Sequence, residues 1–409
     1  MTQLKFVPVL LGSDINVYGM ARSFHEAYGL HSVAIGKGRL GATSNSRIVT
    51  VEVVEPRLEE DEVFCSTLIE FAGRYAKDTP LLLVPCGDNY TKLLVRNQEA
   101  LRPYYRFACI DEPLLMRLSM KESFYSLCDQ YGFAYPKTTT VTVNNYEGFE
   151  VPFAFPVVIK PSNSVAYWNC HFPHKKKVFV AETKEEFDAI VTAIYGSSYQ
   201  DHLIIQEYIP GDDSHMRVMK CYCGKDGKVR LIALGQALLE EHSPEGIGSY
   251  AAIIPAEDRQ LARQMKAFLE DIGYIGFANF DFKLDSRDGQ YKLFEMNPRQ
   301  GRSSYFVTAE GYNLAQYMVE DILLDKPVEC TIANGEALWT LIPKHIIFEY
   351  VSDPELRQKA RELIRRRKMC KSLMYKKDWS FRRWIYFHKN QASYFKKYAR
   401  YFGNKSLKD

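Results

Sequence analysis

A chain of 409 residues with 46% hydrophobic and 25% charged side chains is folded rather than disordered and too long for one core, so two or three subdomains around a shared cleft are expected. It has no apolar run near the roughly 20 residues of a membrane-spanning helix, the opening FVPVLLG lacks a signal peptide's basic flank, and nine scattered cysteines form no secreted disulfide framework, which points to a cytoplasmic protein with reduced thiols. The net charge of +3 hides a polarised chain, because residues 361–409 hold 16 of the 53 Lys and Arg but 3 of the 50 Asp and Glu.

FVPVLLGSDINVYGMARSFHEAYGLHSVAIG reads as a buried strand, a Gly-Ser-Asp turn, a helix ending near Gly29 and a second strand. LLLVPCGDNY (81–90) repeats the strand ending in Gly-Asp, so residues 1 to about 115 form a small open α/β domain whose strand ends face a ligand crevice. A helix ended by Gly132 and a turn at Pro136 lead into sheet periodicity: VPFAFPVVIKPSNS carries Lys160 on a strand, EEFDAIVTAIYG is a helix, and HLIIQEYIPG is a strand running into a turn. RVMKCYCGKDGKVRLIALGQALL is a hairpin turning at Gly224 to Gly227, residues 258–272 an amphipathic helix, and GFANFDFKLDSRDGQYKLFEMNPR a second hairpin turning at Asp285 to Gly289.

The last hairpin carries chemistry. Asn279, Asp281 and Lys283 share one face of the first strand, and Glu295 and Asn297 share a face of its partner. Asp281, Glu295 and Asn297 are then three hard oxygen ligands between apolar neighbours, the donor type that Mg²⁺ takes together with substrate phosphates. Burying those carboxylates without a cation would be costly. Lys160 at the end of VVIK and Lys121 are cations suited to phosphate. HLIIQEYIPGDD is a strand that offers backbone groups to an adenine edge, with Asp213 two residues past Gly211 within reach of ribose hydroxyls.

In this order the residues resemble the ATP-grasp superfamily over most of residues 1–325. The resemblance implies an α/β chain with an N-terminal pre-ATP-grasp (Rossmann-like) α/β domain at 1–115, an ATP-grasp domain of two α+β subdomains clasping ATP at 116–330, and a basic, aromatic helical segment at 331–409. It implies that Lys121 and Lys160 bind ATP, that Gln206, Glu207, Tyr208 and Ile209 form the adenine hinge, and that Asp213 is the ribose acid. Asp281, Glu295 and Asn297 would hold two Mg²⁺. Arg299 matches the arginine that lies against the reacting carboxylate, a planar fork suited to bidentate binding; Lys160 and Arg302 are further catalytic candidates, with Ser303 beside them. Arg217 either faces the cleft or makes a structural ion pair.

LLGSDINVYGMARSFHEAYG, LLLVPCGDNY and NPRQGRSSYFVTAEGYNLAQY are most similar to the Gram-positive carboxylate-amine ligase group that includes D-aspartate ligase. That resemblance implies an acyl-phosphate route from an amino acid, D-aspartate favoured, to the side-chain amine of a peptidoglycan precursor, a nucleotide-linked muramyl pentapeptide. A ligase making a free dipeptide or small metabolite amide, and a catalytically silent ATP-binding scaffold, remain the alternatives. One departure is PSNSVAYWNCHFPHKKKVFV, which has no glycine where many relatives place a glycine-rich phosphate loop; Tyr167, Trp168 and Lys175 to Lys177 are expected to do that work with side chains. Cys170, His171 and His174, with Cys221 and Cys223, match no zinc spacing. The C-terminal stretch reads as two or three basic helices with Trp379, Trp384, Tyr386, Tyr394 and Phe395, suited either to packing on the core or to peripheral contact with an anionic membrane; no nucleic-acid motif is present.

Overall fold

The computed structural model describes residues 5–402 apart from 177, 245 and 327. Strands β1 (Val7–Leu11), β2 (Ser32–Gly36), β3 (Val49–Val54) and β4 (Leu81–Pro85) form a parallel sheet in the order β3-β2-β1-β4. The order reverses between β1 and β4, and an open parallel sheet binds ligands outside such a switch point. The Gly-Ser-Asp turn after β1 and the Gly-Asp turn after β4 therefore open into one crevice. Asn16 spans it, donating from Nδ2 to the Cys86 carbonyl at 3.0 Å. Gly12 has φ +115, a backbone region closed to most side chains, and lets the chain leave β1 for the helix Ile15–Tyr28, whose N-cap Asp14 accepts from the Asn16 and Val17 amides.

β5 (Thr138–Val141), β6 (Val157–Pro161), β7 (Phe179–Ala181) and β8 (Leu203–Glu207) make an antiparallel sheet in the order β5-β8-β6-β7. The helix Lys184–Tyr195 buries Phe187, Val191 and Ile194 in the same apolar cluster as Val157, Ile159 and Ile205 of that sheet. The third sheet joins β9 (Met216–Cys223), β10 (Val229–Glu241), β11 (Ser249–Ala256), β12 (Gly276–Leu284) and β13 (Tyr291–Asn297). Its antiparallel core runs β13-β12-β9-β10-β11. The helix Arg259–Asp271 packs Met265, Phe268 and Leu269 among the apolar side chains of β9, β10 and β12.

The segment from 331 onward, expected to be helical, also contributes short strands. β14 (Thr331–Ile332) pairs with β10, and β15 (Leu338–Thr340) and β16 (Met369–Cys370) extend the third sheet beyond β11. Strands of two or three residues are too short to show a period of two. Helices follow at Lys344–Tyr350, Pro354–Arg365 and Phe381–Tyr401. The last reaches back to the first domain: Arg383 donates to the carbonyls of Ala42 and Ser44, each at 3.0 Å.

Candidate active site

A cleft of about 980 Å³ lies between the second and third sheets. Lys121, Lys160, Gln206, Glu207, Tyr208, Ile209, Asp281 and Glu295, all expected from the sequence, line it. Lys160 Nζ donates to Gln206 Oε1 at 3.1 Å, and Gln206 Nε2 donates to Tyr125 Oη at 2.8 Å and to Thr138 Oγ1 at 3.1 Å. This chain of bonds fixes the lysine over the cleft. Burial lowers the pKa of Lys121, and the negative charge of Glu295 partly offsets it. The lysine thus sits in a weakly hydrated place where an anionic phosphate would be welcome.

The register of β12 on β13 sets Asn279 opposite Asn297 and Asp281 opposite Glu295, with an irregularity just after Asp281. Asn297 Nδ2 lies 3.4 Å from Asp281 Oδ2 and 3.2 Å from Glu295 Oε1, and Tyr250 donates to Asp281 Oδ1 at 2.8 Å. Burial first, and then the charge of Glu295, push the Asp281 carboxyl above its ordinary value. Two carboxylates held side by side, one of them buried, are a donor set that a divalent cation would neutralise. The residues present therefore fit Mg²⁺. Arg299, two residues beyond Asn297, turns to the first domain: Nε and Nη2 donate to the two oxygens of Asp88 at 2.6 and 2.8 Å.

A family model for the ATP-binding domain of the carbamoyl-phosphate synthase large chain matches residues 247–322, the stretch that contains β12 and β13. The D-aspartate ligase of Enterococcus faecium (strain Aus0004) is 45% identical over 408 residues, covering 96% of this chain and 97% of that protein. The chain belongs to the ATP-grasp carboxylate-amine ligases. Among solved structures, N5-carboxyaminoimidazole synthetase from Staphylococcus aureus complexed with ADP shares the fold at a TM-score of 0.60 and 13% identity, covering 85% of each chain. An L-amino acid ligase from Bacillus licheniformis does so at a TM-score of 0.55 and 16% identity, covering 79% of this chain and 75% of its own. The chain is thus an ATP-dependent carbon-nitrogen ligase on an ATP-grasp fold.

Some residues of the ligase stand elsewhere than the sequence suggested. Asp213 is not among the lining residues of the cleft; its carboxylate accepts from the Glu240 amide at 2.8 Å and lies 2.9 Å from His242 Nε2. The irregular turn Asp213–His215 before β9 folds it onto β10, which strand alternation does not reveal. Arg302 pairs with Glu241, and its Nη2 lies 3.5 Å from Tyr394 Oη, so the C-terminal helix holds this arginine. Arg217 donates to the carbonyls of Ser214 and Met216 at 2.7 and 3.1 Å. In the loop without glycine, Tyr167 is fully buried in the second subdomain's core and donates to the Lys176 carbonyl, while Lys175 Nζ donates to the Cys170 carbonyl at 2.6 Å. These contacts brace the loop from within, so Tyr167 is not a phosphate ligand; the Trp168 side chain and Lys177 lie outside the described residues. Among the described residues, no group of three or more His, Cys, Asp or Glu is arranged to hold a metal, and Cys221 and Cys223 are buried in the third sheet.

Sequence reasoning missed Asp88, Lys220 and Glu240. Lys220 on β9 is opposite Asn279 and donates to its carboxamide oxygen. Its ammonium pKa is lowered by burial, and Asp281 works against that shift. Glu240 lines the cleft from β10; burial and Asp213 raise its pKa while Lys283 lowers it. For Lys220 and Glu240 the available signal was a charge beside apolar strand residues, in VMKCYC and at the end of ALLEE, since such charges are rarely buried without a partner.

Proposed function

We propose that the ligase activates D-aspartate with ATP and joins its β-carboxylate to an amine of a peptidoglycan precursor peptide. The observation that carries this reading is the 45% identity to a D-aspartate ligase over nearly the whole of both chains.

The chemistry follows from the placement of the side chains. Lys121 and Lys160 neutralise phosphate charge on the nucleotide side, and Gln206 to Ile209 border the base. Asp281, Glu295 and Asn297 would hold Mg²⁺, two ions by family resemblance, and the bound metal would neutralise charge on the transferred phosphoryl group. The substrate carboxylate attacks the γ-phosphorus, ADP leaves, and the amine then displaces phosphate from the acyl phosphate. Arg299 is the fork that meets this carboxylate. Asp88 accepts from both sides of the same fork and so orients Arg299.

Hydroxamate formation tests the proposal. Purified protein, ATP, Mg²⁺ and hydroxylamine are incubated with a panel of D- and L-amino acids, because hydroxylamine traps an acyl phosphate whatever the natural amine. Product with D-aspartate above all others is expected. Product with another acid alone would replace the substrate; ATP binding without product from any acid would refute the proposed reaction.

A further inference from the structure

We infer that the outward face of the C-terminal helix Phe381–Tyr401 docks on an anionic lipid surface. The helix has two faces of different character. Its inner face is fixed to the body by Arg383, Tyr394 and Tyr398, all buried, with the Tyr398 hydroxyl donating to the Glu240 carbonyl at 2.6 Å. At 100° per residue, Phe381, Trp384, Ile385 and Phe395 fall together on one flank of the buried face, and Arg382, Lys389, Lys396 and Arg400 form a second stripe directly beside them, on the side turned away from the body.

A solvated helix would present polar groups outward, but here Phe381 is 65% exposed, Trp384 46% and Phe395 44%. They are not isolated. Of the eleven large apolar side chains exposed among the described residues, five lie between Met374 and Phe395. From Phe381 to Phe395 the apolar stripe runs about 21 Å along the axis. Residues 381–402 contain six Lys and Arg and no Asp or Glu.

An aromatic stripe flanked by cations matches the interface of a bilayer, where rings enter the headgroup boundary and the cations meet anionic headgroups. No helix among the described residues is long and apolar enough to cross a membrane, so the contact is peripheral. The charge also selects against other occupants. A second copy would bring an equally basic helix against this one, and a nucleic-acid duplex, whose bases are already stacked inside it, would engage the basic stripe while leaving the aromatic stripe in water. Because the inner face is already docked, the helix is preformed and binding does not carry the cost of ordering a free segment.

The test is cosedimentation of the full chain with vesicles of phosphatidylcholine alone and of phosphatidylcholine mixed equally with phosphatidylglycerol. Binding to the mixed vesicles is expected, weakened by salt, with phosphatidylcholine at least tenfold poorer. The double variants Trp384→Ser/Phe395→Ser and Lys389→Glu/Lys396→Glu should each weaken binding by about tenfold or more, with the thermal unfolding curve unchanged. Absence of binding to the mixed vesicles overturns the inference. So does binding lost with the lysine pair but untouched in Trp384→Ser/Phe395→Ser, which would mark simple attraction to any polyanion. A dimer in sedimentation velocity that Trp384→Ser/Phe395→Ser dissociates would assign the stripe to a second copy instead.

Discussion

Replacing Arg299 by alanine separates chemistry from folding. The side chain is 17% exposed and its partner Asp88 51% exposed, so losing the pair leaves a carboxylate that water can solvate. Such a half-exposed pair contributes about 1 kcal/mol or less to stability. The same guanidinium facing a developing oxyanion acts in a drier place, where removing one donor costs about 3 kcal/mol, roughly a hundredfold to a thousandfold in kcat. Arg299 is not among the side chains that line the nucleotide cleft. Arg299→Ala should therefore lose hydroxamate formation by that factor while its ATP dissociation constant stays within about threefold and its unfolding midpoint hardly moves. Activity within threefold of the parent would refute the assignment of the fork to the reacting carboxylate. A large loss of ATP affinity would place Arg299 in the nucleotide site instead.

Glu295→Gln removes one of the two facing carboxylates and should abolish turnover at ordinary Mg²⁺, as should chelation of the metal from the parent; partial recovery at high Mg²⁺, followed by ADP release, is the check. Asp378 is fully buried, 3.0 Å from Arg383 Nε, and accepts from Tyr18 Oη at 2.7 Å and Ser46 Oγ at 2.9 Å. Asp378→Ala strands Arg383 in the interior and should cost about 3–5 kcal/mol, read as faster amide exchange across Phe381–Tyr401. Exchange equal to that of the parent would show that the helix is held without this pair. Burial pushes the Glu310 carboxyl up to about 8. Its folded pKa lies above its unfolded value, so the stability it contributes is present below the ordinary carboxylate range and is lost as pH rises toward 8. Between those values the folded state holds one more proton, and Glu310→Gln should flatten the fall of the parent's stability by about 1.4 kcal/mol per pH unit; parallel curves for the two proteins would refute it.

Much of the ligase was legible in its sequence because its signals are local. Strand alternation and one tight turn put Asp281, Glu295 and Asn297 on one hairpin, and the glycine-and-aspartate ends of β1 and β4 announce a crevice; the irregularity just after Asp281 then sets Asp281 against Glu295 and Asn279 against Asn297, where the register of Phe282 with Leu293 continued unbroken would have met Asp281 with Phe294. The apolar strand ending in Lys160 and the run into Gln206 to Ile209 needed no knowledge of distant contacts, and the cleft does bring these residues together. The tertiary structure decided what depends on partners far along the chain. Arg299 reads in the sequence as the fork for the reacting carboxylate, but its partner Asp88 stands 211 residues earlier. Asp213 follows a glycine as a ribose acid would, but the turn before β9 gives it to His242. Arg302 stands in the loop after Asn297 and takes its partners from β10 and the C-terminal helix. Hydrogen bonds and ion pairs of this kind carry no sequence period, because each requires only that two charges arrive at one place. The short strands β14 to β16 were hidden for a related reason: two or three residues pair because the edge of a sheet already lies beside them. Sequence set the faces of each element, and packing chose which charge each face would meet.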